Sequence, residues 1–188
     1  MSNTDPESTV PPAARGGGGA GLRPAAADAG QGVGRPIAID LDGVLGDTRP
    51  LWADWLADAA RVLGVDPAEL PEDRGAAAAA LDAAGGGNWR TLLERFAEDR
   101  APVYLRPNAE VGALLRRLQS AGGRLGVFTD APEQLALVAL AHVGAARRVE
   151  AVECGEGALE RLVARLGGDA NIARTRAELS LAAQRATR

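Results

Sequence analysis

The chain has 188 residues, which favours one domain, and 46% of them are hydrophobic, enough for a core although only 3% are aromatic. A net charge of −4 without a basic block argues against a general nucleic-acid binder. The sequence predicts neither a membrane span nor a signal peptide. All 21 basic residues are arginine, so chemistry that needs a lysine amine is excluded. The single cysteine, Cys154, excludes an internal disulfide and agrees with a cytoplasmic location.

Residues 1–35 are predicted to be disordered, because they are rich in Gly, Ala and Pro and hold few large apolar side chains. A short apolar run from Ile37 to Asp40 then predicts a buried strand. Three segments with helical spacing follow, and we predict a small all-helical cap over residues 47–104. The α/β core domain is predicted to comprise residues 36–46 and 105–184.

The second half of the chain alternates between strand and helix patterns. Predicted strands cover residues 124–129, 149–153 and 171–175, and predicted helices follow Asn108, Pro132, Gly157 and Thr175. Such alternation predicts an α/β fold with a parallel Rossmann-like sheet and helices on both faces. In such folds the ligand site lies at the carboxyl ends of the strands.

Two acids stand where the first predicted strand ends. Asp40 and Asp42 would share one side of the strand if it continued, and Gly43 would let the backbone turn away. Two neighbouring carboxylates repel each other, and a divalent cation beside them relieves that repulsion. The alternative is that both acids merely terminate a strand; the strand before them and the glycine after them favour a site.

The segment Asp40-Leu41-Asp42-Gly43-Val44-Leu45 resembles the opening motif of the haloacid dehalogenase-like (HAD) superfamily. The segment Val127-Phe128-Thr129-Asp130 resembles its second motif, and the predicted helical insertion resembles its small α-helical cap. The resemblance covers about residues 36–180. It implies a Mg²⁺-dependent phosphatase that acts on a small phosphorylated metabolite through an aspartyl-phosphate.

The resemblance also implies a role for each matching residue. Asp40 would be the nucleophile and Asp42 the general acid and base, and the Asp40 carboxylate with the Asp42 main-chain oxygen would hold Mg²⁺. Thr129, Asp130 and Ala131 would bind the phosphoryl oxygens, and the helix predicted at Pro132 favours an anion there. Thr129 could equally be an ordinary helix cap, and the two roles are compatible.

The third and fourth motifs of the superfamily are degenerate. No lysine is available for the third, and Arg174 and Arg176 stand where carboxylates of the fourth would hold the metal. The pattern Thr175-x-x-Glu178 favours a helix capping box over a catalytic role. Possible substitutes are Asp130, Glu153 and Glu156 for the acids and Arg174 for the lysine.

Two other classes of function remain open at this stage. One is a catalytically impaired protein of HAD fold that binds a ligand or a protein partner, which the degenerate motifs favour and the intact Asp40, Asp42 and Thr129 oppose. The other is an unrelated doubly wound binding domain, which would have a different strand order and no helical cap over Asp40. The substrate and the oligomeric state cannot be read from the sequence.

Overall fold

A four-stranded, all-parallel sheet forms the centre of the computed structural model, which describes residues 35–186. The strands are β1 (Ile37–Asp40), β2 (Leu125–Thr129), β3 (Ala151–Cys154) and β4 (Asn171–Ala173), in the spatial order β3-β2-β1-β4. All five residues of the inner strand β2 are buried, as expected for a parallel sheet covered on both faces. The predicted α/β fold is confirmed. The prediction of disorder for residues 1–35 lies outside the described residues, except for residue 35.

Seven α-helices surround the sheet in the described part of the chain. They are α1 (Arg49–Leu63), α2 (Arg74–Ala83), α3 (Trp89–Tyr104), α4 (Ala109–Ser120), α5 (Glu133–His142), α6 (Ala158–Arg165) and α7 (Arg176–Arg185). Helix α2 starts at Arg74, because the Asp73 carboxylate caps it by accepting a hydrogen bond from the Ala76 amide at 2.7 Å. None of the helices in residues 35–186 is long and apolar enough to cross a membrane.

The chain leaves the sheet at Asp40, where the predicted strand ends. A single turn of π-helix, Leu41–Leu45, follows β1, so the strand does not continue and Asp42 does not share its side with Asp40 through strand alternation. The turn is fixed instead by the Asp40 side chain, which caps it by accepting from the amides of Asp42 and Gly43. The two acids are therefore brought together by a capped turn rather than by strand alternation.

Gly43 lies where two segments of backbone nearly touch. A Cβ atom added at Gly43 would lie 1.9 Å from the Arg174 carbonyl oxygen, far inside contact distance. Because that neighbour is backbone, Gly43→Ala is expected to lower the free energy of unfolding by about 1–3 kcal/mol, measured by urea denaturation. The control is Gly112→Ala in α4, where the added Cβ meets only the Arg116 side chain at 3.6 Å. That change should be neutral or stabilising by about 0.5–1 kcal/mol, as for Ala against Gly in a helix; equal losses in both variants would contradict the close approach.

Helices α1, α2 and α3 share a hydrophobic cluster that the three tryptophans dominate. Trp52, Trp55 and Trp89 are all at least 94% buried, with ring centroids 5.0–6.4 Å apart. The cluster also takes in Ala131 and Leu135, which follow β2 in the chain, so the three helices pack directly on the sheet domain. The boundaries of the cap at residues 47 and 104 stay a prediction.

Candidate functional site

Asp40 lies at the carboxyl end of β1 and faces a pocket of about 340 Å³. Thr129, Asp130 and Arg174 line the same pocket, as does the loop after β3. Oδ1 of Asp40 accepts hydrogen bonds from the amides of Asp42 at 3.0 Å and Gly43 at 3.4 Å. Burial raises the pKa of Asp40 above its ordinary value, although these amides and the nearby Arg174 act to lower it. A half-buried, pre-oriented carboxylate thus opens onto a space where a ligand can sit.

The Asp42 carboxylate is held on both oxygens. Oδ1 accepts from the amide and the hydroxyl of Thr48, at 2.7 and 2.6 Å, and Oδ2 accepts from Arg74 Nη2 at 2.5 Å and Thr129 Oγ1 at 3.1 Å. Its side chain is only 11% exposed and Thr48 is fully buried. Asp42 therefore has one fixed orientation, set by groups from β2, from the start of α1 and from α2.

Arg74 is the site residue that the sequence interpretation missed. It is the first residue of α2, its side chain is 4% exposed, and it joins Asp42, Thr48 and Asp130. Its Nη1 donates to Thr48 Oγ1 at 2.7 Å, Nε donates to Asp130 Oδ2 at 3.2 Å, and Nη2 is paired with both carboxylates. A guanidinium suits this role because its donors form a rigid fork. In the sequence, the only hint is an arginine after the capping Asp73 in an Ala-rich segment, and no spacing links it to Asp42.

The predicted phosphoryl-binding residues cluster at the end of β2. Thr129 is 3% exposed, and its hydroxyl donates to Asp42 and accepts from the Ala131 amide at 3.1 Å. The Asp130 carboxylate turns to Arg74. Burial acts to raise the pKa of Asp130, but the hydrogen bonds from Arg74 hold this pKa below its ordinary value. The structure thus brings Asp40, Asp42, Thr129 and Asp130 together, while the amide of Ala131 is used by the Thr129 hydroxyl.

Three acids near the degenerate motifs, Glu178, Glu153 and Glu156, differ in their roles. Glu178 forms the capping box with Thr175 and accepts from the Arg174 amide at 2.7 Å, so its role is structural. Glu153 pairs with two arginines of α6. Glu156 lines the pocket that Asp40 faces. Only Glu156 of these three acids thus remains available to a ligand there.

The donor set does not fit a magnesium site of the kind that the resemblance implies. Within residues 35–186, no group of three or more His, Cys, Asp or Glu side chains is arranged to hold a metal ion. The Asp130 carboxylate is paired with Arg74, and a guanidinium, Arg174, lies beside Asp40, the one side-chain ligand that the resemblance implies. These two cations reduce the attraction that a divalent ion would need.

Cys154 ends β3 and lines a second pocket of about 340 Å³ between α2, α3 and α5. Burial raises the pKa of its thiol to about 12, with nearby acids adding to the shift. Because the thiolate is the reactive form, a disulfide reagent at pH 8 should react with the folded protein at least about 100-fold more slowly than with the urea-unfolded chain. The chain has no second thiol to obscure the measurement. Equal rates in the two states would show that the thiol is open to solvent.

Comparison with known proteins supports the fold. No protein-family model matches the chain, and no curated protein sequence does. Among solved structures, CbbY from Rhodobacter sphaeroides in complex with phosphate has a TM-score of 0.51 and 16% identity, covering 70% of this chain and 72% of its own. A HAD phosphatase from Thermococcus onnurineus has a TM-score of 0.40 and 20% identity, covering 64% of this chain and 61% of its own. At these identities the likeness to CbbY shows a shared α/β fold and nothing about activity.

Proposed function

We propose that the protein is a HAD-type phosphatase, which hydrolyses the phosphoric monoester of a small metabolite. One observation carries the proposal: the oriented carboxylate of Asp40 opens onto a pocket that also contains Thr129 and the guanidinium of Arg174. Phosphoryl transfer requires a nucleophile and, around the same space, cationic or hydroxyl groups that donate to the phosphoryl oxygens. The fold shared with CbbY, a protein solved with bound phosphate, agrees with this reading.

The proposed reaction has two steps. The Asp40 carboxylate attacks phosphorus, the bond to the leaving oxygen breaks, and protonated Asp42 gives its proton to that oxygen. Water then attacks the aspartyl-phosphate, Asp42 takes a proton from it, and inorganic phosphate leaves with Asp40 restored. General acid–base help of this kind is worth about 10²–10⁴ in rate.

One contact links Asp42 to the pocket that Asp40 faces. The hydroxyl of Thr129, which lines that pocket, donates to Asp42 Oδ2, and this contact supports the proposed role of Asp42. Thr129, Asp130 and Ala131 are proposed as the phosphoryl-binding segment, with the hydroxyl of Thr129 as its main donor. A cytoplasmic location and a small phosphorylated substrate remain predictions that accompany the proposal.

The magnesium dependence that the resemblance implies also stays a prediction. Its ligands would be the Asp40 carboxylate and the Asp42 main-chain oxygen, and Mg²⁺ would supply charge neutralisation of the phosphoryl group. The donor set does not fit this ion, and the two arginines of the site, Arg74 and Arg174, offer the same neutralisation.

Hydrolysis of a generic aryl phosphate, followed by a panel of phosphorylated sugars and nucleotides, tests the proposal. Each substrate is assayed with Mg²⁺ and with EDTA, so that the result does not depend on the metal. We expect release of inorganic phosphate from at least one member of the panel. Absence of hydrolysis across the panel in both conditions would reject the phosphatase.

The second candidate is a binding module of HAD fold without catalytic activity. One observation favours it: both oxygens of the proposed acid and base, Asp42, are engaged by Thr48, Arg74 and Thr129. Asp42 must exchange protons in each step of hydrolysis, and in these contacts it acts only as an acceptor. Binding of phosphate or of a phosphorylated compound without turnover would support this candidate.

A further inference from the structure

Arg174 is placed beside Asp40 by the register of the sheet. Strand β4 pairs with β1 so that its last residue, Ala173, lies opposite Ile39; Asp40 follows Ile39, and Arg174 comes directly after β4. The Arg174 backbone is fixed in two ways, by its amide hydrogen bond to Glu178 and by the close approach of Gly43 to its carbonyl. The position of this arginine is therefore a property of the fold.

The guanidinium of Arg174 is available to a ligand. It lies 5.4 Å from the ring centroid of Phe128 and lines the pocket that Asp40 faces. In the described part of the chain, residues 35–186, its side chain forms no salt bridge within 4.0 Å and donates no hydrogen bond to a protein group. Its planar donors match two oxygens of a phosphoryl group, and the aromatic face orients them.

The other arginine of the site holds the remaining carboxylates. Arg74 pairs with Asp42 and Asp130, so neither carboxylate is free to join Asp40 around a cation. The two guanidinium groups offset part of the negative charge of Asp40, Asp42 and Asp130 without any metal, and Asp73, Glu156 and Glu160 also line the pocket.

We propose that Arg174 takes the place of a divalent cation, so that this site binds phosphate monoesters without metal. Arg74 supports it by pairing with the carboxylates that a metal would otherwise use. This inference rests on the proposed function in one respect, that the ligand of the site is a phosphate ester. It is independent of turnover, because binding alone tests it.

The first test measures metal binding with Mn²⁺ as the probe. The Kd for Mn²⁺ is determined from its electron paramagnetic resonance signal and by calorimetry. Arg174→Asp replaces the cation beside Asp40 with a further carboxylate, and we expect it to tighten the Kd for Mn²⁺ at least about tenfold over the parent protein. The matched control is Arg116→Asp, an equal charge change at an exposed position of α4 outside the pocket. It should leave the Kd for Mn²⁺ unchanged.

Phosphate binding in EDTA is the second test, with inorganic phosphate as the probe. The parent protein should bind it without metal, Arg174→Gln should weaken binding about tenfold or more, and Arg174→Lys should restore part of the loss. Because no turnover is measured, a binding module would give the same result as a phosphatase. The proposal would be overturned if the parent protein bound stoichiometric Mn²⁺ as tightly as the Arg174→Asp variant does. It would also be overturned if the parent protein did not bind phosphate, or bound it only with Mg²⁺.

Discussion

Asp40→Asn is expected to reduce phosphate-ester hydrolysis at least about 10³-fold, because an amide cannot serve as the nucleophile that forms an acyl-phosphate. The fold should survive the change. The Asn oxygen can still accept from the amides of Asp42 and Gly43, so the capped turn after β1 is kept. Steady-state rates on whichever ester proves to be the best substrate measure the effect, with circular dichroism as the check of folding.

The matched control is Asp47→Asn, close in sequence but outside the pocket. Asp47 is 45% exposed and pairs with the neighbouring Arg49, so its loss removes one carboxylate without touching the reacting centre. Its rates should stay within about twofold of the parent, since an exposed pair contributes little. Unchanged hydrolysis in the Asp40→Asn protein would show that another group attacks phosphorus.

Arg74→Met is expected to lower the free energy of unfolding by about 3–5 kcal/mol, the cost of removing one partner from a buried ion pair. The variant would leave Asp42, 11% exposed, without its counter-ion and Thr48 without its donor. It also breaks the link from α2 to the end of β2 at Asp130. Urea denaturation measures the loss, and phosphate hydrolysis should fall with it because Asp42 loses its orientation.

Arg90→Met is the control for Arg74→Met. Arg90 pairs with Asp82 in the same group of helices, but both side chains are 45% exposed. Water screens such a pair, so its loss should cost less than about 1 kcal/mol. Arg74→Lys should recover only part of the stability, because one ammonium cannot reproduce a fork that reaches three groups. Equal losses for Arg74→Met and Arg90→Met would contradict a buried link between α2 and the site.

The pocket that Cys154 lines is separate from the residues changed in these variants, apart from Arg90. It is lined by Trp89, Cys154 and Gln134, whose Oε1 is buried with no hydrogen-bond partner in the described residues. The pocket adjoins the Asp40 pocket at Gly155. The variants above lie outside its lining, except Arg90, which is used only as a stability control.

The sequence by itself determined the alternation of strands and helices and the place of Asp40 and Thr129 within it. Hydrophobic periodicity and helix caps depend only on residues that are close in sequence. For that reason β1, β2 and the capping box at Thr175 could be predicted. The predicted end of β1 at Asp40 also follows from neighbouring residues. The cap that the Asp40 side chain makes on the next turn, which takes Asp42 out of the strand direction, was not predicted.

Only the tertiary structure decided which charges meet. Arg74 is 32 residues from Asp42 and 56 from Asp130 in sequence, and no pattern in the chain connects them. Arg174 was expected at the site from the resemblance, and it comes beside Asp40 because β4 pairs with β1, which local spacing alone does not encode. Side-chain pairing across the sheet edge depends on packing of distant segments, and that packing here sets guanidinium groups among the carboxylates.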